Sequence, residues 1–260
     1  MSDDSDVADW WRTRIIDMEP GRIALRGHPI ETLIGNMGFA EMIWHLVIGT
    51  PLSEARARLF EAALVSAVDH GPQAPSIAAA RMAATCGVGL QNAMATGLNM
   101  LGDVHGGAGE QAVDLFGQVA VDGLERLAAW RAEHGHYVPG FGHRFHTPTD
   151  PRAPRLMALV DAAVQASAVT GAFRDSAARI EAHLAKERGA PVPMNIDGAT
   201  AVIYAELGCP APLARGFFGL SRSVGILAHA WEQTEQGGRN KGPTPPGYRW
   251  TYDGDSGQGS

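Results

Sequence analysis

The sequence predicts an all-α fold, and two observations support this class. Apolar residues recur at spacings of three and four along most of the chain, as in amphipathic helices. Sustained period-2 alternation rich in Val, Ile and Thr, which is typical of strands, is scarce. The 260 residues include 45% hydrophobic and 19% charged residues, which is ordinary for a globular enzyme that buries a full core.

The first half of the chain predicts three helices. Residues 29–48 carry apolar side chains at helical spacing. Ser53 is a suitable N-cap for a second helix that runs to Val68, with Glu54 in its first turn. Residues 77–101 are apolar on nearly all sides, which predicts a long buried central helix.

The second half of the chain predicts six more helices and a tail. By the same spacing rule, these helices cover residues 109–120, 124–133, 154–168, 176–186, 198–207 and 212–233. Residues 237–260 are rich in Gly and Pro, and the end of this stretch is expected to be mobile. No internal repeat occurs.

Composition excludes several classes of partner. The net charge is −7, and no Lys/Arg cluster is dense enough to follow a nucleic-acid backbone. No apolar run approaches the roughly 20 residues that cross a bilayer. The acidic first residues are unlike a signal peptide, so we expect a cytoplasmic protein. Cys86 and Cys209 are expected to be small buried thiols in a reducing compartment.

Three distant segments each place an acid–base group in a break rich in Gly or Pro. They are Gly-Asp-Val-His-Gly-Gly-Ala-Gly-Glu around His105, Val-Pro-Gly-Phe-Gly-His-Arg around His143, and Pro-Met-Asn-Ile-Asp-Gly around Asp197. A glycine beside a histidine allows backbone to approach a ligand closely. We expect the fold to bring these groups to one pocket. Such a set suits carbon–acid chemistry, with one base and two donors for developing oxygen charge.

Each candidate also has a structural interpretation. Asp197 could be the N-cap of the helix that follows it, and one carboxylate can serve both purposes. His105 alone could be a turn residue, and His70 could be a cation near a helix C-terminus. Arg222 interrupts an apolar helix and therefore needs a carboxylate, either from the protein or from a substrate.

Metal and nucleotide motifs are not found in the sequence. The run His134, His136, His143 and His146 matches no common zinc spacing and has no nearby cysteine pair, so no metal site is predicted. We interpret His28, His45, His183 and His229 as structural or surface residues. No Walker, Rossmann or Gly-x-Ser-x-Gly motif is present, and no permanently bound cofactor is expected.

Over residues 21–233 the sequence resembles the citrate synthase superfamily. The matching signatures are Val-His-Gly-Gly-Ala, Val-Pro-Gly-Phe-Gly-His-Arg with a following Asp-Pro-Arg, Asn-Ile-Asp, and Ser-Arg-Ser-Val-Gly-Ile-Leu-Ala-His-Ala-Trp-Glu-Gln. Their order and mutual spacing agree with the family. The resemblance implies a two-lobed helical fold that closes over substrate and works as a homodimer. The large lobe would be residues 1–107 and 206–260, and the small lobe residues 108–205.

The resemblance also implies roles for the site residues. Asp197 would be the base that takes a proton from the acetyl methyl group of acetyl-CoA, and His105 would hydrogen-bond the thioester oxygen and stabilise the enol. His143, with Arg152, would polarise the keto group of a 2-oxo acid such as oxaloacetate. His70 and Arg222 would hold substrate carboxylates. The coenzyme A thioester, a substrate and not a bound cofactor, would lie against the backbone of Val138, Pro139, Gly140, Phe141 and Gly142.

The resemblance leaves three functions open. The short segment before His70 and the phrase Val-Asp-His-Gly-Pro-Gln-Ala-Pro are similar to citryl-CoA lyases and to the lyase module of ATP-citrate lyase. This favours cleavage of citryl-CoA, or a close 3-hydroxy-3-carboxyacyl-CoA, with His143 deprotonating the tertiary alcohol. The presence of His105 favours the alternative, a compact citrate or 2-methylcitrate synthase. A non-catalytic CoA-ester-binding subunit is the third hypothesis. Arg239 or Arg249 could replace the arginine that synthases lend to a partner site.

Overall fold

The computed structural model describes residues 9–143, 145–146 and 149–254. Helices dominate this part of the chain, which confirms the all-α class. None of the described helices is both long and apolar enough to span a bilayer. In chain order the helices are α1 (Ile30–Leu33), α2 (Phe39–Val47), α3 (Glu54–Ser66), α4 (Pro75–Thr85), α5 (Leu90–Leu98), α6 (Ala108–Asp122), α7 (Arg126–His134), α8 (Arg152–Gln165), α9 (Ala172–Arg188), α10 (Ile196–Glu206) and α11 (Ala211–Glu235).

A small antiparallel sheet precedes the helices and was not expected from the sequence. Its strands are β1 (Ile16–Glu19), β2 (Arg22–Leu25) and β3 (His28–Pro29), in the order β1-β2-β3. The strands are short and mostly exposed, so they carry no clear apolar alternation. Arg26 joins this sheet to the end of α2, because its Nη2 donates to the carbonyl of Leu46 at 2.7 Å.

Two of the expected long helices are interrupted. Residues 29–48 form α1 and α2 with a turn between them, and residues 77–101 form α4 and α5. Gly87 lies between α4 and α5 with a φ of +85°, a conformation that ends a helix and favours glycine. Cys86 follows the last residue of α4 and is exposed, so its predicted burial was wrong, whereas Cys209 is buried as expected.

The remaining helices agree with the sequence prediction to within a few residues at each end. α3 begins directly after Ser53, which has the extended backbone of an N-cap. The predicted tail follows α11, and residues 255–260 lie outside the described part of the chain.

One large buried cluster holds most of the helices together. At its centre, Trp44, Phe60, Tyr204 and Phe217 pack ring against ring, with 4.9 Å between the centroids of Phe60 and Phe217. This cluster includes side chains from both sides of the predicted division into lobes. A smaller cluster joins α4, α5 and α11 through Ala74, Ile77, Ala80, Ala93, Ile226 and Ala230.

A buried carboxylate joins the end of α10 to the start of α9. Glu206 is 6% exposed. It satisfies backbone donors that a helix N-terminus leaves without an intrahelical partner, and its charge suits that end of the helix dipole. The donors are the backbone N–H groups of Thr170, Gly171, Phe173 and Arg174 and the Thr170 hydroxyl. The helix that carries Asp197 is therefore fixed at its far end.

Candidate active site

Asp197 lies in the first turn of α10, but it is not the N-cap. Asn195 caps this helix, because its Oδ1 accepts from the backbone N–H of Asp197 at 3.0 Å and of Gly198 at 3.2 Å. The N-cap interpretation of Asp197 was therefore wrong. Its carboxylate takes no part in the cap and can act on a ligand.

The environment of Asp197 favours the protonated carboxyl group. Burial raises the pKa of Asp197, although the positive charges of Arg222 and Arg152 act in the opposite direction. Part of the residue surface remains accessible, while the carboxyl group is surrounded by protein atoms. A carboxyl group with a raised pKa is a better proton donor to a carbon centre than an ordinary exposed aspartate, which is ionised at lower pH.

The segment Val138–Gly142 packs directly on the start of α10. Asn195 donates its backbone N–H to Gly140 O at 3.0 Å and its Nδ2 to Gly142 O at 2.7 Å. A Cβ on Gly198 would lie only 2.3 Å from Gly140 O. The two backbones therefore touch, and this contact fixes the segment relative to Asp197.

His143 presents a defined tautomer. Its Nδ1 accepts from the backbone N–H groups of Phe145 at 3.0 Å and His146 at 2.9 Å. Amide nitrogens only donate, so the proton of the neutral ring lies on Nε2. Burial and the neighbouring His146 lower the pKa of His143, with Asp150 acting in the opposite direction. The ring therefore offers a neutral Nε2–H donor.

His105 is held by a residue that the sequence did not indicate. The backbone N–H of Ser76 donates to His105 Nε2 at 3.2 Å, and the Ser76 hydroxyl lies 3.0 Å from the same nitrogen. The proton of the neutral ring therefore lies on Nδ1. Burial and the charge of Arg222 lower the pKa of His105. Ser76 stands in an Ala-rich helix start, and nothing in its local sequence marks this role.

Arg152 is anchored to α10 by Asp150, a second residue that the sequence analysis did not select. The Asp150 carboxylate accepts from Arg152 Nε at 3.0 Å and Nη2 at 2.9 Å, and from the backbone N–H of Ile196 at 3.1 Å. Burial raises the pKa of Asp150, but the hydrogen bonds and charge of Arg152 outweigh it and hold this pKa low. The Asp-Pro-Arg segment, which places Asp150 two residues before Arg152, was the sequence feature that could have identified Asp150.

Arg222 is buried on α11 and forms no ion pair or hydrogen bond with a carboxylate of the described residues, although the charges of Asp197 and Asp69 act on it. Its Nε donates to Ala67 O at 3.0 Å, and its guanidinium lies 4.8 Å from the centroid of the Phe218 ring. The residue is 4% exposed. Of the two sources of charge compensation that the sequence left open, an anionic ligand fits this environment.

The structure gathers the predicted site residues into one region. The charge of Arg222 acts on His70, His105 and Asp197, and that of Arg152 acts on His70, His143 and Asp197. The rings of His70 and His143 have centroids 5.7 Å apart. This arrangement offers two neutral donors, one carboxyl group and two guanidinium groups. It can stabilise an enolate and bind a substrate with several carboxylates.

A cavity of about 360 Å³ adjoins the Val138–Gly142 segment. Its lining includes Val138, Phe141 and Gly142 from this segment and the basic side chains of Arg131 and Arg188. The described residues contain no group of three or more His, Cys, Asp or Glu placed to hold a metal ion.

Comparison with known proteins identifies a family model and several curated relatives that match this chain. A family model described as citrate synthase, C-terminal domain, matches residues 36–243. A citrate synthase of Haloferax volcanii is 31% identical over 204 residues, which cover 77% of this chain and 52% of that protein. The chain thus spans about half the length of the curated relatives it matches.

Solved structures provide a second comparison. A citryl-CoA lyase from Hydrogenobacter thermophilus is similar with a TM-score of 0.85 and 30% identity, over 95% of each chain. An ATP citrate lyase from Methanothrix soehngenii, solved with citrate and coenzyme A, has a TM-score of 0.81 and 20% identity over 98% of this chain and 45% of that one. At 20% identity, the similarity to the ATP citrate lyase shows only that the two chains share a fold.

The close contact between Gly140 and Gly198 can be tested by its contribution to stability. We expect Gly198→Ala to lower the free energy of unfolding by about 2 kcal/mol, because the added methyl group has no room. Gly117→Ala on α6 is the matched control, since nothing lies within 4 Å of the position that its methyl group would take. This control should raise stability by up to about 1 kcal/mol. Equal effects of the two variants in chemical denaturation would contradict the close contact.

Proposed function

This chain belongs to the citrate synthase family, and from that premise we propose that it is a carbon–carbon lyase. Its substrate would be citryl-CoA, or a close 3-hydroxy-3-carboxyacyl-CoA, and its products acetyl-CoA and oxaloacetate. One observation carries the proposal. A carboxyl group with a raised pKa, Asp197, lies within reach of the charges of Arg222 and Arg152, which also act on the two imidazole donors His105 and His143. The similarity to a citryl-CoA lyase along 95% of each chain supports it.

In the cleavage direction, the bond between the thioester's α-carbon and the alcohol carbon breaks. Its electron pair moves into the thioester enolate, whose oxygen accepts from the Nδ1–H of His105. The Asp197 carboxyl group then gives its proton to the α-carbon and forms the methyl group of acetyl-CoA. The raised pKa of Asp197 favours the protonated form that this step requires.

The tautomer of His143 revises one part of the sequence-based mechanism. Its Nδ1 is occupied by two amide donors and its Nε2 carries the proton, so the neutral ring has no free lone pair for the hydroxyl proton. We therefore assign His143 a donor role toward the alkoxide and keto oxygen. The hydroxyl proton leaves to solvent as the alkoxide forms.

The other groups of the pocket match the charges of the substrate. We propose that Arg222 and Arg152, with His70 beside them, bind the carboxylates of the oxaloacetate half. The Val138–Gly142 backbone and the adjoining cavity would receive the coenzyme A half. The division into a large lobe, 1–107 and 206–260, and a small lobe, 108–205, remains part of this proposal.

The alternative within the family is a compact citrate or 2-methylcitrate synthase, which the citrate synthase relatives favour. Supplying citryl-CoA and coupling oxaloacetate to its enzymatic reduction tests the lyase. Supplying acetyl-CoA and oxaloacetate and following free coenzyme A tests the synthase. Binding without any turnover across several acyl-CoA and 2-oxo acid pairs would favour the non-catalytic subunit.

We expect Asp197→Asn to abolish cleavage. The amide cannot give up a proton as an acid, so kcat should fall by about 10²–10⁴-fold, while affinity for acetyl-CoA changes little. Steady-state cleavage and calorimetric titration with acetyl-CoA provide the two measurements. Asp114→Asn, at an exposed position on α6, is the control and should leave both unchanged. Near-normal turnover by Asp197→Asn would refute the mechanism.

The pH dependence of cleavage should report the acid form of Asp197. Because the protonated carboxyl group is required, kcat/KM for citryl-CoA should fall as pH rises through the raised pKa of Asp197. The charge of Arg222 lowers this pKa, so in Arg222→Gln the fall of kcat/KM should occur at higher pH. Arg222→Lys retains the charge and should leave the pH of this fall unchanged. A fall at the same pH in both variants would contradict the assignment.

We also propose that the protein is a cytoplasmic homodimer that pairs through α11. Leu220, Val224, Leu227 and Trp231 recur at helical spacing on this helix and are each 39–58% exposed. Such a stripe is characteristic of a helix face that packs on a partner. A second copy of this chain is the partner we assign, since a two-fold axis lets the stripe pack on itself. The free thiols of Cys86 and Cys209 fit a reducing compartment.

A charge in this stripe should prevent dimer formation. We expect Leu227→Glu to shift the protein to a monomer at micromolar concentration, because the pairing would bury unpaired carboxylates. Val121→Glu, at an 84% exposed position on α6, should leave the mass unchanged. Sedimentation equilibrium measures both. A wild-type monomer, or a Leu227→Glu dimer, would contradict the proposal.

A further inference from the structure

The loop that presents His70 is held against α11 by its backbone. After α3 ends, the carbonyl of Ala67 accepts from Arg222 Nε at 3.0 Å. The next carbonyl, that of Val68, accepts from the backbone N–H of Gly225 at 3.1 Å. These bonds place the start of the loop, but they leave the orientation of His70 to the residues that follow.

A side-chain contact holds the rest of this loop. The carboxylate of Asp69 accepts from the backbone N–H of Gly71 at 3.2 Å, which closes a turn around His70. Its other oxygen lies 3.1 Å from Nε2 of His229 on α11. Asp69 thus connects the turn that contains His70 to a histidine on a different helix.

The contact of His229 with Arg81 fixes its tautomer. Nη1 of Arg81, on α4, lies 3.1 Å from His229 Nδ1. An arginine can only donate, so this nitrogen accepts and the proton of the neutral ring lies on Nε2. His229 therefore donates to Asp69, and it cannot rotate its ring without losing both bonds.

Arg81 is itself held firmly. Its side chain is 15% exposed. Its three nitrogens donate to side chains at the end of α11, which are Glu232, Gln233 and Gln236. A continuous chain of hydrogen bonds therefore runs from the end of α11 through Arg81 and His229 to Asp69.

We propose that His229 is a positioning residue, which acts through Asp69 to hold the His70 ring at the angle needed to bind a substrate carboxylate. The sequence analysis had interpreted His229 as a structural or surface residue. The proposal depends on the proposed function only for the identity of the substrate. His229 touches no reacting atom, so its removal should affect substrate binding more than the chemical step.

The kinetic test uses the full chain and citryl-CoA. We expect His229→Leu to raise KM about tenfold, equivalent to about 1.4 kcal/mol of binding, with less than about a threefold change in kcat. His229→Gln offers an amide donor and acceptor and should recover most of the loss. Asp69→Ala removes the other end of the same bond at a largely exposed residue. It should give the same rise in KM, and the double variant should show no further rise.

Glu232→Ala provides the matched control. It removes an acceptor of Arg81 and a carboxylate that lies 3.9 Å from His229 Nδ1, but it leaves the bond between His229 Nε2 and Asp69 in place. KM should stay unchanged in this variant. A rise in KM equal to that of His229→Leu would show that the whole contact is merely structural and would overturn the proposal.

A measurement without substrate separates this proposal from the proposed function. The imidazole resonances of His70, assigned with His70→Gln, should shift in His229→Leu and in Asp69→Ala but not in Glu232→Ala. Unchanged resonances together with an unchanged KM in His229→Leu would refute the positioning role. If the wild-type protein cleaves no citryl-CoA but the His70 resonances shift in the variants as stated, only the proposed function is refuted.

Discussion

The cap of α10 is the interaction on which the candidate site depends. Asn195 uses its side-chain oxygen to cap the helix and its Nδ2 and backbone N–H to hold the Val138–Gly142 segment. One residue therefore sets the distance between the acid, Asp197, and the loop that leads to His143. Asp150 adds a second link from the same helix start to Arg152. The hydrogen bonds that cap α10 and those that position the site therefore come from the same few residues.

Burial shifts the pKa values of Asp197, His105 and His143 toward their neutral forms. Removing a group from water disfavours its charged form, which raises the pKa of Asp197 and lowers the pKa of His105 and His143. All three are thus biased toward neutral forms. The charges of Arg222 and Arg152 reinforce this bias for His105 and His143, whereas for Asp197 they oppose it and burial outweighs them. A neutral acid beside neutral donors suits a reaction in which charge appears only in the transition state, because preplaced dipoles then act mainly at that moment.

Features that depend on local sequence patterns could be predicted. Helical spacing predicted most helices, and glycine-rich breaks marked His105, His143 and Asp197 before any fold was known. The prediction missed the breaks at Gly87 and between α1 and α2, because the apolar pattern continues through them. It also missed Ser76, whose partner His105 lies 29 residues away, and the contact of Asp150 with Ile196, which spans 46 residues. Asp150 was marked by its neighbour Arg152 in the Asp-Pro-Arg segment, whereas Ser76 is defined only by a contact across the fold, and its own surroundings in sequence carry little signal.

Three faces of α11 make different contacts. One face packs Phe217 into the main core, a second places Arg222 in the site, and a third carries the exposed stripe from Leu220 to Trp231. A helix with 3.6 residues per turn has room for all three only because it is long. Its 25 residues let the core and site contacts fall in the first half and the Arg81 and His229 contacts in the second. The helix is continuous from Ala211 to Glu235, so the core, site and Arg81 contacts all belong to one element.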